Sequence, residues 1–142
     1  MPLRFDLGPF EKLHIGRTIL INSHERAYFA LEGDVPVMRA KDVLQPALAS
    51  NCLEKLYCCM QKIYLEQTFA EFQGSYLALV VQALKEEPSF YAELKQVDAL
   101  FHAGEHYKAL KRLKKLIRPS AFVADRSEPP NYVRRATLTA LT

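Results

Sequence analysis

Glycine is scarce in this chain of 142 residues. There are five, too few for repeated phosphate-cradling loops, and no Walker, dinucleotide, nucleophile-elbow or His-Glu-x-x-His pattern occurs. Cysteine is scarcer still: Cys52, Cys58 and Cys59 have no zinc-finger spacing and imply no disulfide framework. They read as small buried hydrophobes in a reducing compartment. No uncharged apolar run reaches the roughly 18 residues a membrane span needs. The N-terminus alternates charged and apolar residues instead of presenting a signal-peptide core. His102 and His106 are four apart, but Gly104 lies between them and no carboxylate or cysteine is arranged to complete a metal site. The expectations are therefore a cytoplasmic protein that is not an enzyme, with no cofactor, no metal, no small-molecule substrate and no membrane contact.

What the chain does have is apolar content, at 49%, and a charge gradient hidden by a net charge of +3. Residues 1–41 hold six basic and five acidic side chains, residues 42–105 four and nine, and residues 106–142 nine and two. A chain acidic in its middle and basic at its end has polarity that a partner can use.

The hydrophobic period changes once along the chain. Up to about residue 44, "LRFDL", "KLHI", "RTILIN", "RAYFALE" and "VPVMR" are short β-rich runs separated by turn signals at Gly8-Pro9, Gly16, "INSHER" and Gly33-Asp34. Pro36 suits an edge strand. So small a sheet must be covered by helices or by a second subunit, and a homodimer through this part is expected. From Pro46 the period becomes 3.6. Asn51 with Glu54 resembles a capping box, with Ser50 an alternative cap. Leu53, Leu56, Tyr57, Met60, Ile63 and Tyr64 then form one stripe. A second helix over about 68–86 contains "YLALVVQAL", apolar nearly all round, and is expected to be the most buried. Pro88 falls in the first turn of a third helix, which Gly104 ends. The expected architecture is α+β: a small antiparallel β domain over 1–44, about four helices over 45–118, and an irregular tail over 119–142 carrying Arg126, Arg134 and Arg135.

The fourth helix poses the functional question. "HYKALKRLKKLIRP", residues 106–119, carries six cations and no acid. Tyr107, Leu110, Leu113, Leu116 and Ile117 make the apolar stripe, and Lys108, Lys111, Arg112 and Lys115 share the other side. A solvated face and a phosphate-binding face are both consistent with that pattern.

Two resemblances bear on the choice. The opening Leu3-Arg4, the turn Glu11-Lys12-Leu13-His14-Ile15, Leu56-Tyr57, Glu93-Leu94-Lys95, Asp98-Ala99-Leu100, Gly104 and Ala109-Leu110 resemble, in order and spacing, the FlbT family of flagellum-biogenesis regulators. The resemblance runs from residue 2 to about 119. It implies a post-transcriptional regulator that associates with the 5′ untranslated leader of flagellin mRNA and represses its expression. It also implies a FlaF-type protein partner, or alternatively a non-enzymatic interaction module binding FlaF or flagellin. Within the first 44 residues, Glu11, Leu13, Ile15 and Gly16, followed by Val35, Val37, Arg39 and Val43, are similar to the CsrA-type RNA-binding fold. Met38, Ala40, Lys41, Asp6 and Leu7 depart from that pattern. This second resemblance implies a strand-exchanged dimer whose closing arginine contacts RNA together with the first strand, which makes Arg39 and Arg4 candidates. Arg17 and Lys41 are added on the same part of the chain, and Lys111, Arg112 and Lys115 as backbone-phosphate contacts on the fourth helix.

Overall fold

The computed structural model describes residues 2–122, which fall into two compact units, one of strands up to Ala40 and one of helices from Lys41 onward. The class is α+β, as the change of period implies.

Five short strands build the first unit: β1 (Leu3–Leu7), β2 (Lys12–Ile15), β3 (Thr18–Ile21), β4 (Ala27–Leu31) and β5 (Val37–Arg39). They form two antiparallel sheets, β1-β4 and β3-β2-β5. The β2–β3 hairpin closes over Gly16-Arg17, where Gly16 sits at φ +56°, the sign a tight hairpin turn demands of its first central residue. β1 finds its ladder partner β4 in its own chain, so strand exchange is not needed to pair it. The polar stretch after β3 is held by Asn22, which is buried. Its side-chain amide donates to the carbonyls of Leu7 (3.0 Å), Gly8 (2.8 Å) and Glu25 (2.8 Å), fastening the turn before β4 to the end of β1. Leu7, Leu13 and Met38 are the buried apolar side chains of this unit.

The helical unit contains α1 (Cys52–Glu66), α2 (Phe69–Glu86), α3 (Tyr91–His102) and α4 (His106–Lys114). Asn51 caps α1, its Oδ1 accepting from the Glu54 amide at 2.9 Å. The reciprocal half of the capping box is displaced: the Glu54 carboxylate takes the backbone N–H and hydroxyl of Ser50 instead. Pro88 starts a separate 3-10 turn, Pro88–Phe90, and α3 begins after it. Gly104 (φ +83°) ends α3 in a Schellman motif, with the Glu105 amide bonded to the Leu100 carbonyl and the Gly104 amide to that of Phe101. α1 packs against α2 and α4, and α3 against α4. Leu56, Tyr57, Met60 and Ile63 of α1 meet Tyr76, Phe101, Leu110 and Leu113 in the core, each side chain contributing about 1.5–3 kcal/mol by leaving water.

α2 corrects an expectation. Of its residues only Tyr76 and Ala83 are buried, while Leu77 and Val81 are 46% and 49% exposed. Its neighbours within the unit cover one side, so an all-round apolar helix has been left with Leu77 and Val81 open to solvent on the other. Beyond α4, Pro119–Phe122 form a 3-10 turn with Ala121 buried and the Phe122 ring edge-on to Tyr57 at 5.0 Å. The rest of the expected tail, with Arg126, Arg134 and Arg135, lies outside the described residues.

Candidate nucleic-acid interface

The alternation of β4 decides which of its two aromatics faces outward. In the β1–β4 ladder Arg4 lies opposite Ala30, and Asp6 opposite Tyr28, so these four share one face. The other face carries Phe5 and Phe29, whose rings stack at 5.5 Å and 19°. Tyr28 is 79% exposed, the most exposed large hydrophobic side chain described. Arg4 is exposed and makes no ion pair or hydrogen bond among the described residues. Arg26 pairs with Asp6 on the same face. The result is a shallow depression of about 480 Å³ lined by Arg4, Phe5, Asp6, Tyr28, Phe29 and Ala30, which brings an aromatic ring, one guanidinium and one carboxylate together.

The other sequence candidates of the β unit are placed differently. Arg39 is half-buried, its Nη2 donating to the Asp6 carbonyl at 2.7 Å and lying 3.4 Å from Glu11 Oε1. Its guanidinium thereby ties β5 to β1 and to the loop before β2. Arg17 stands exposed in the β2–β3 turn.

On the helical unit, the cations of α4 and its extension find acids from the middle of the chain. Lys111 and Lys114 both reach Asp42, at 3.0 and 2.7 Å, and the Asp42 side chain is 3% exposed. Arg112 lies 3.5 Å from Glu93 and Lys108 3.6 Å from Glu105, while Arg118 reaches the fully buried Glu54 at 3.2 Å. Burial alone would raise the Asp42 carboxyl. The hydrogen bonds and charges of Lys114 and Lys111 outweigh that cost and hold it below its ordinary value. Glu54 is held low in the same way, with Arg118 and Ser50 overcoming desolvation. Lys111 is burdened by burial too, yet Asp42 draws its pKa up. Lys115, exposed, has no ion-pair partner among the described residues. Lys108, Lys111, Arg112 and Lys115 nonetheless line a cleft of about 560 Å³ floored by Leu100 and Tyr107, with Glu93 as its one acid. Lys41 is exposed, and its backbone carbonyl accepts from Lys114 Nζ at 2.9 Å.

Three of the candidates, Lys111, Arg112 and Lys115, thus come together in one cleft. Arg4 joins Tyr28 on a strand face, and Arg39 serves the interior of the β unit. Sequence reasoning missed Asp42 and the second role of Glu54. Glu54 left a trace, its capping-box spacing. Asp42 left none, because its lysines lie about seventy residues away.

A family model described as "Flagellar protein FlbT" matches residues 3–121. The chain belongs to the FlbT family. A probable flagellum biosynthesis repressor protein FlbT of Rhodopseudomonas palustris is 35% identical over 118 residues, 83% of this chain and 94% of the relative. The flagellum biosynthesis repressor protein FlbT of Caulobacter vibrioides is 27% identical over 120 residues, 82% of this chain and 85% of the relative. A probable repressor of the same name from Rhizobium etli is 30% identical over 139 residues, 94% and 91% of the two chains. No solved structure matches. The FlbT relatives are named as regulators of flagellum synthesis and not as enzymes. Among the described residues there is no cluster of metal-ligating side chains, and no helix is long and apolar enough to cross a membrane.

Proposed function

We propose that this FlbT-family protein is a repressor of flagellum synthesis that binds the 5′ untranslated leader of flagellin mRNA and controls its translation and decay. The observation that carries this reading is the outward face of the β1–β4 ladder, where the exposed Tyr28 ring shares a face with Arg4, a cation without an ion-pair partner among the described residues. Unpaired RNA is recognised by stacking splayed bases on such rings while cations neutralise the adjacent phosphates. A ring of this kind contributes about 1–3 kcal/mol per stacked base. Arg39 acts here through Asp6 and Glu11, holding β1 in place, and the α4 cleft supplies auxiliary contacts to the phosphate backbone, chiefly through Lys115. Phosphate contacts position the RNA, and the strand face reads it.

The test compares binding of a flagellin leader with binding of a scrambled RNA of the same length. Tyr28→Ala and Arg4→Gln are expected to weaken leader binding by about tenfold or more, the loss of one stacked base or one charged contact. Both variants should fold normally, since neither side chain supports the core. Wild-type affinity in both variants removes the strand face as the RNA-binding surface, and equal affinity of the wild type for the two RNAs removes leader recognition.

A further inference from the structure

The exposed side of α2 is ordered as a seam. Ala70, Gly74, Leu77, Val81 and Leu84 recur at alternating steps of four and three, the 3.5-residue period with which one helix meets another along its length. Leu77 and Val81 are half exposed, and no side chain of the helical unit among the described residues covers them. Gly74 lies in the helix interior, where glycine costs about 1 kcal/mol relative to alanine. No intramolecular packing explains it, because a Cβ built there meets nothing within 4 Å. A close-approaching second helix would explain it, since a missing side chain lets backbones come together.

The charges beside the seam say which helix that is. Glu71, Ala78 and Lys85 are spaced by seven and therefore run along one flank of the stripe. Neither Glu71 nor Lys85 has an ion-pair partner among the described residues. We infer that α2 pairs antiparallel with α2 of a second copy of this chain, about a twofold axis passing near Ala78. In that arrangement Glu71 of each copy meets Lys85 of the other, twice, and Leu77 packs on Val81 across the axis while Gly74 receives Leu84. A parallel pair would instead keep Glu71 of one copy and Lys85 of the other fourteen residues apart along the axis, about 21 Å, too far to pair. The charges of the surface are self-complementary only in the antiparallel sense, which is what an isologous dimer requires.

Sedimentation equilibrium on the full chain at tens of micromolar tests the proposal, with helicity measured alongside. The wild type is expected to be dimeric. Val81→Glu, at an exposed position, should give a folded monomer. Glu71→Lys and Lys85→Glu should each weaken the dimer by about tenfold, two attractive pairs becoming repulsive. The double variant E71K/K85E should recover wild-type affinity, because the pairs are restored with their signs exchanged. A monomeric wild type overturns the proposal, and so does a dimer indifferent to Val81→Glu. If the double variant is as weak as the two single ones, the antiparallel self-pair is overturned and the face belongs to a different partner.

Discussion

Asp42 shows how a single side chain redirects the meaning of several others. Lys111, a phosphate candidate in the sequence, and its neighbour Lys114 have their ammonium groups on its carboxylate, and the Tyr57 hydroxyl donates to its backbone carbonyl. The folded pKa of Asp42 lies below the unfolded one, so its contribution to stability is complete above the ordinary carboxylate value of 3.8 and is lost as pH falls through the folded value. Glu54 behaves the same way. Urea midpoints followed from neutral to strongly acidic solution should therefore fall steeply in the acid limb. Asp42→Asn should flatten that limb and, at neutral pH, cost about 1–2 kcal/mol, because the lysines keep their access to water when the carboxylate is gone. An unchanged acid limb in Asp42→Asn would show that the carboxylate is not anchored by the lysines. None of this was legible in residues 106–119 alone. The stripe of Leu110 and Leu113 was readable from its period, but whether Lys111 faces RNA or a buried acid depends on a residue contributed from the other end of the helical unit.

At the scale of elements, strands and helices follow the change of period closely. β1 through β5 lie within the β-rich runs, α1 buries Leu53, Leu56, Tyr57, Met60 and Ile63 of its stripe, and α4 buries Leu110 and Leu113 but leaves Tyr107 41% exposed. α2 is where period and burial part company. Its sequence is apolar on nearly all sides because it has two apolar faces with different fates, one closed by Tyr76 and Ala83 and the other open at Leu77 and Val81. Hydropathy registers the sum and cannot separate a core contact from an uncovered surface. The open position of Gly74 makes the backbone cost measurable. Gly74→Ala, studied at low concentration where the chain is monomeric, should stabilise it by about 0.5–1 kcal/mol and raise the thermal midpoint by a few degrees. A destabilised variant would mean that the Cβ meets an obstacle, contrary to the open space around it.

At the scale of the whole molecule, folding takes up five of the six cations of residues 108–118 among the described residues. The basic end meets the acidic middle through Asp42, Glu54, Glu93 and Glu105, so four of the nine acids in residues 42–105 are paired with cations of residues 106–122. The electrostatic footprint offered to RNA is correspondingly smaller than the sequence suggests. Binding of leader RNA should show a log–log salt slope of about −2, the value for roughly three released counterions on single strands, and not the slope near −4 that all six cations of residues 108–118 would give. Filter binding across a range of ionic strengths measures it directly. A slope of −4 or steeper would mean that the lysines leave their carboxylates when RNA arrives. Composition made the gradient visible, but only the fold shows that the cations of residues 108–118 are mostly spent internally.

The amide of Asn22, fixed to three carbonyls, sets a limit on variation in the β unit. Aspartate offers no donor to those oxygens, serine does not extend far enough, and glutamine carries its amide one methylene too far. In a library of all single substitutions, the turn between β3 and β4 should accept almost any residue at Ser23, His24 and Glu25, all exposed, and almost none at position 22. A loop position will then score like a core leucine, and its intolerance will report on the shape of the backbone around it rather than on any partner it touches.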